Sequence, residues 1–591
     1  MPHLPATPEE LTALGWNTID VLLVTGDAHV DHPAFPAALI GRVLESAGYR
    51  VAVLARPDVS NLDAVRRLGR PRLFAGVTAG ALDSMVANTT ASRRRRSDDP
   101  HAPDGKAGGR PDRALTVYCN LLRQAFGKGV FIVAGGLEAS LRRFAHYDYW
   151  SDSVRRPILM DCGADVAIYG MGEGPVLEVA RRLDAAASDH RPESTVVWRD
   201  LLREVPGVVW RQAASLAPPS DGIGLPDAEV VASDPRQHIR AHRLLETGIG
   251  KRFWQVSGSM RVVANPLAHL DVEALEALYR LPFTRNAHPM YGDTHIPALE
   301  QVRFSVTAHR GCAGGCAFCA LTAHQGKSIT SRGADSVLEE VCKIAEHPEF
   351  RGTINDIGGP TANMWGGSCT RSGGCRRVSC LWPERCPDFA DDQDGYLALL
   401  TAASAIPGVR HLFVTTGVRM DLLAGNGALL RALAQRHTSG HLKVAPEHVV
   451  PAVLSHMRKP AGDDFERVVS THRNFSQQAG KRQFIVPYLM AAHPGCTLDD
   501  MVQLARLLRS RNIQAEQCQI FTPTPGTAAT VMYATGLDPA TGDEVFVERN
   551  DAMKELHKTL ILWHRRDLHP KLRVALRRAG RKDLVEELFR S

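Results

Sequence analysis

No apolar run in the 591-residue chain approaches the roughly 20 residues needed to cross a bilayer, so a membrane-spanning protein is not expected. The start, MPHLPATPEELTALGW, also lacks the apolar stretch of a secretory signal, and a cytoplasmic protein is expected. Charge of one sign is missing too. With 70 basic residues against 64 acidic ones, the net +6 does not by itself mark a nucleic-acid binder. The chain has only 12 cysteines, and in a reducing compartment clustered thiols read as metal ligands or redox groups rather than disulfides. At this length a single ordinary core is excluded, and two or three domains are expected.

What is present is a repeated alternation of short apolar strands with amphipathic helices. DVLLVTG (20–26), RVAVLAR (50–56), RLFAGVTAG, GVFIVAGG and ADVAIYG predict a Rossmann-like parallel sheet domain over 1–190. Within it, 91–114 (ASRRRRSDDPHAPDGKAGGRPDRA) reads as a mobile basic loop whose Arg93–Arg96 run could neutralise RNA phosphates. Residues 191–297, rich in Pro and polar turns, read as a linking subdomain. A second series occupies 298–570: RFSVTA (303–308), GTINDIGG (352–359), HLFVTTG (411–417), HLKVAP (441–446), QFIVPYLM (483–490) and QCQIFTPTP (517–525). Six such β-α units predict a partial (β/α)₆ barrel with its chemistry at the carboxyl ends of the strands. Residues 571–591 read as a basic helical tail.

The loop after the first strand of that series is TAHRGCAGGCAFCAL (307–321). It holds Cys312, Cys316 and Cys319 in a Cys-x₃-Cys-x₂-Cys array. Structural zinc takes four ligands, which His309 or His324 could complete. A ferredoxin-type carrier needs four cysteines, and the next, Cys342, falls inside a predicted helix. The remaining reading is a four-iron cluster on three thiolates, with one iron left open to a substrate or cosubstrate.

That array in that place resembles the radical S-adenosylmethionine (radical SAM) superfamily. Together with GDAHVDHPAF (26–35), GGLEASLRRFAHYDYWSDSVRRPIL (135–159), IGGPTANM, VAPEH and FTPTPGTAATVMYATGLDP (521–539), it resembles the YgiQ-type radical SAM proteins over nearly the whole chain. The resemblance implies a [4Fe-4S] cluster on Cys312, Cys316 and Cys319, with S-adenosyl-L-methionine bound at the open iron. Reductive cleavage there would give a 5′-deoxyadenosyl radical that acts on an unknown substrate. It implies that Phe318 packs near the adenine and that Gly358, Gly359 and Pro360 meet the methionyl amino group through backbone atoms, since Pro360 stands where the superfamily has Glu. Arg419 and Glu447, at the ends of the third and fourth strands, are candidates for ribose and carboxylate contacts, with His448 beside them. A low-potential donor such as flavodoxin or ferredoxin is the implied partner. The catalytic residues are left unassigned.

Two further features stand apart. CTRSGGCRRVSCLWPERC, in an insertion at 366–388, places Cys369, Cys375, Cys380 and Cys386 within 18 residues, and a second metal site is expected, either an auxiliary cluster or zinc. GDAHVDH falls on the first strand-to-helix loop, where some cobalamin proteins carry Asp-x-His-x-x-Gly. Here His32 replaces the Gly, so ligation by His29, and with it bound cobalamin, is not expected. The rival class is a zinc-containing RNA-binding protein that uses both cysteine groups and the basic loop; an electron-transfer protein is a third.

Overall fold

The computed structural model describes residues 3–189, 195–371 and 375–589; Ser372, Gly373 and Gly374 of the Cys-rich insertion and the last two residues of the tail lie outside them. The chain divides into two compact units, Met1–Arg303 with Ala323–Gly326 and Thr524–Gly526, and Phe304–Thr322 with Lys327–Pro523 and Thr527–Ser591.

The first unit is built on one nine-stranded sheet. Its strands are β1 (Val21–Thr25), β2 (Val51–Ala55), β3 (Phe74–Thr78), β4 (Ile132–Gly135), β5 (Val166–Ile168), β6 (Val208–Ala213), β7 (Gly222–Gly224), β8 (Arg252–Ser257) and β9 (Met260–Ala264). The spatial order is β7-β8-β9-β6-β5-β4-β3-β1-β2. Strands β2-β1-β3-β4-β5 are all parallel, the 2-1-3-4-5 order of doubly wound folds. Strand β1 is buried along its whole length because both faces are covered. Leu22 and Val24 pack with Val65, Leu115 and Tyr118 on one side. Val21 and Leu23 pack with Ala37, Leu44, Val179 and Leu183 on the other.

The 191–297 stretch, expected as a linking subdomain, supplies β6 to β9 to this same sheet, mostly through antiparallel ladders. Its Val208, Trp210 and Val263 join one core, and Val209 and Val262 the other. The 91–114 stretch is also not a detached loop. Arg110 is fully buried on Asp27 at 2.7 Å, Asp99 bonds Arg56 at 2.8 Å, Arg95 pairs with Asp112 at 2.6 Å, and Arg93 lies 4.5 Å over the Tyr149 ring. Composition misled there because ionic pairing rather than apolar burial holds the segment.

Several histidines in this unit are buried without a charged partner. Burial pulls His146 down to about 3 and His238 down to about 4. A histidine kept neutral in the fold but free to protonate when unfolded leaves stability intact above about pH 6.5 and erodes it as pH falls below that value. By pH 5 each such group costs about 2 kcal/mol. Urea melts of a His146→Gln variant should therefore show a shallower loss of stability between pH 7 and 5 than the parental chain. Parallel pH slopes would contradict this assignment.

The second unit is a partial (β/α)₆ barrel, as the strand pattern predicts. Its strands are β10 (Ser305–Thr307), β11 (Asp356–Gly358), β12 (His411–Leu412), β13 (His441–Glu447), β14 (Phe484–Ala491) and β15 (Gln517–Ile520). They neighbour one another in chain order, all parallel. Strand β10 pairs with β11, the adjoining Thr353–Ile354 with β12, Val418 bridges to Val444 of β13, and β13, β14 and β15 form one ladder. Helices such as Ala334–Ala345, Gln393–Ser404, Asp464–Gln478 and Leu498–Ser510 intervene. The tail forms helices His569–Arg578 and Lys582–Phe589, and Leu572, Leu576 and Leu584 are buried.

Candidate metal and cofactor site

Strand β10 runs into a small hairpin in which His309–Arg310 pairs with Thr330–Ser331, and the three close thiols lie in the loop between. The loop has little freedom. Gly315 has φ +57°, and a Cβ there would come 2.2 Å from the Val378 carbonyl oxygen, so only glycine lets the two segments approach.

Cys312, Cys316 and Cys319 are all partly buried. Burial pushes the Cys312 thiol up, and burial with the neighbouring Cys316 and Cys312 thiols pushes Cys319 up to about 12. Cys312 and Cys319, kept protonated by burial, are poor nucleophiles, and three cysteines in one loop are a donor set suited to a metal centre.

One cation of the protein stands beside them. The Arg419 guanidinium is buried, with Nη1 at 3.7 Å from Cys316 Sγ and Nε and Nη2 on the Asp421 carboxylate at 3.0 and 2.6 Å. Burial alone would discharge it, but Asp421 and the Cys316 thiol outweigh that cost and hold it charged. Asn363 fixes the backbone of Arg419, accepting from its N–H at 2.8 Å and donating to its carbonyl at 3.0 Å. Glu447, at the end of β13, has a left-handed φ of +63° and faces Lys459 Nζ at 3.8 Å. Burial raises its carboxyl, with Lys459 and Arg419 opposing.

The Gly-Gly-Pro turn ends β11 next to the loop. The Gly358 carbonyl accepts from Ala308 N–H at 2.6 Å, and Thr361 and Ala362 bond the Gly417 carbonyl at the end of the third-strand segment. A Cβ on Gly359 would lie 2.5 Å from the His309 ring and 2.6 Å from its carbonyl oxygen. His309 is completely buried, and neither ring nitrogen has a partner. Phe318 meets His493 edge-on at 6.0 Å, and His493 meets Phe521 at 5.2 Å, which ties the loop to the segments after β14 and β15.

The structure thus gathers Cys312, Cys316, Cys319, Phe318, Gly358, Gly359, Pro360, Arg419 and Glu447 at the carboxyl ends of the barrel strands. His448 turns away, with Nε2 at 3.7 Å from Cys496 Sγ, and His324, in the segment that belongs to the first unit, bonds Ser140 Oγ of that same unit. Asp421, Asn363 and Lys459 were not singled out from sequence; Asn363 lies in the quoted IGGPTANM motif and Asp421 two residues after Arg419, and both could have been. Among the described residues, no three His, Cys, Asp or Glu side chains stand close enough to hold a single metal ion.

In the first unit, Asp27 is bound to Arg110 and to the Ala81 N–H rather than to His29. His29 is buried, stacked on His288 at 4.6 Å.

Residues 3–305 match the family model described as "Radical SAM N-terminal", and residues 516–587 match a domain of unknown function, DUF3362. A UPF0313 protein of Geobacter sulfurreducens is 46% identical over 100% of this chain and 97% of its own length. One from Methanocella arvoryzae is 44% identical over 98% and 96%, and one from Clostridium perfringens 41% over 98% and 88%. Among solved structures, the radical S-adenosylmethionine methyltransferase TsrM from Kitasatospora setae, with cobalamin and a [4Fe-4S] cluster bound, aligns with a TM-score of 0.49 and 14% identity, over 87% of this chain and 78% of that one. The cobalamin-dependent radical enzyme OxsB aligns at 0.45 and 11%, over 88% and 56%. These structural likenesses are too distant to assign a cofactor here. The full-length matches are not, and the chain belongs to the UPF0313 family of radical SAM proteins.

Proposed function

We propose that the protein is a radical SAM enzyme whose three-cysteine loop holds a [4Fe-4S] cluster with one iron open to S-adenosylmethionine. The observation that carries this reading is the set of three mutually crowded thiols directly after the first barrel strand, beside the Arg419 guanidinium. When bound, the cluster supplies one electron that cleaves the sulfonium to methionine and a 5′-deoxyadenosyl radical. The chain's own work is to position and shield. The Gly358-Gly359-Pro360 turn offers backbone groups to the methionyl amino group, since no carboxylate follows the glycines. Arg419, held on Asp421, keeps a positive charge against the thiolates, and Glu447 and Phe318 border the space for the ribose and adenine. A low-potential flavodoxin or ferredoxin supplies the electron. The chemistry of the final substrate is left open.

Gly359→Ala tests the turn. The added methyl group must displace His309 or the strand carrying it, so the variant should keep its iron yet bind S-adenosylmethionine at least about tenfold more weakly. The readout is the change that the cosubstrate causes in the electron paramagnetic resonance (EPR) signal of the reduced cluster. Parental affinity in the variant would remove the turn from the cosubstrate site.

A further inference from the structure

The function above does not use the insertion between β11 and β12, yet its four cysteines are brought together by the backbone. Ser368–Cys369 pairs antiparallel with Phe389–Ala390, so that Cys369 lies opposite Phe389, and the Thr370 N–H donates to the Asp388 carbonyl at 2.9 Å. This closes the ends of the insertion and sets Cys369 beside the segment that carries Cys386. Cys386 N–H then donates to the Cys380 carbonyl at 2.8 Å. Cys375 is held from the other side by Lys327, whose Nζ is 3.5 Å from its Sγ. Cys380 and Cys386 pack in one cluster with Phe389, the residue opposite Cys369. The fold thus draws the four cysteines of this insertion together, with the Lys327 ammonium beside Cys375.

The insertion is also docked on the first loop. Cys380 N–H donates to the Ala313 carbonyl at 2.9 Å, Ser379 Oγ donates to the Gly314 carbonyl at 2.7 Å, and Cys380, Cys386, Leu381 and Phe389 pack with Ala313 against Cys312. A free four-thiol loop in that position would be open to oxidation.

We propose that Cys369, Cys375, Cys380 and Cys386 ligate a second, fully coordinated [4Fe-4S] cluster, with the Lys327 ammonium offsetting its negative charge. Four protein ligands leave no open iron, so this cluster does not bind S-adenosylmethionine. The inference is independent of whether the first site cleaves the cosubstrate, because it is read from iron rather than from turnover.

The test is anaerobic reconstitution with iron and sulfide, followed by metal and acid-labile sulfide analysis and Mössbauer spectroscopy. The full-length parental chain should hold about eight irons, and a Cys312→Ala, Cys316→Ala, Cys319→Ala variant about four, in a cubane signature indifferent to S-adenosylmethionine. A Cys380→Ser, Cys386→Ser variant should fall to about four irons that still respond to the cosubstrate. If that variant fails to fold, the parental spectrum decides: the cosubstrate should shift about one iron in eight, where a single cluster would give about one in four. A single zinc in the triple variant, or about four irons in the parental chain, would overturn the second cluster.

Discussion

A Cys316→Ala protein, reconstituted anaerobically and reduced, forms 5′-deoxyadenosine at least about 100-fold more slowly than the parental chain. Changes to groups that merely contact a ligand already cost 10- to 100-fold, and here a ligand itself is lost. The reason is local. Cys316 is the middle thiol of the array and the one within 3.7 Å of Arg419. The same variant should lose the cluster that responds to the cosubstrate, read by EPR. Retention of parental turnover would move the cluster off this loop.

Arg419→Met should have the second large effect, and on two observables. Without the guanidinium, the part-buried Asp421 loses its direct ion-pair partner. Breaking one side of a buried pair costs about 3–5 kcal/mol, read as a lower denaturant midpoint. The reduction potential of the first cluster should also become more negative, because the cation beside Cys316 no longer favours the added electron. Arg419→Met combined with Asp421→Leu separates the two. It should recover most of the stability and none of the potential. A double variant with parental potential would make Arg419 a purely structural residue.

The six barrel strands were legible because each is a short run with apolar residues, and most are closed by glycine, threonine or proline. The thiol array stands out in the sequence because its three cysteines lie within eight residues of each other. What escaped was long-range and polar. Asn363 clamps Arg419 from 56 positions away, and Lys459 reaches Glu447 from beyond a separate helix. Neither residue has a local pattern that announces its partner. Strands β6 to β9 were hidden by the turns between them, and their joining of the first sheet is a matter of edge pairing that no periodicity records. The 91–114 segment was misjudged for a related reason. A buried Arg110 on Asp27 and Asp99 does for it what apolar side chains do elsewhere, and charge in a sequence does not disclose which charges are buried.

The central claim is tested most directly by chromatography for 5′-deoxyadenosine after anaerobic incubation of the cluster-loaded protein with S-adenosylmethionine and excess low-potential reductant. The account predicts slow release of methionine and 5′-deoxyadenosine in equal amounts without added substrate, abolished in the Cys316→Ala protein. A fully loaded, demonstrably reduced protein that neither binds nor cleaves S-adenosylmethionine would contradict it.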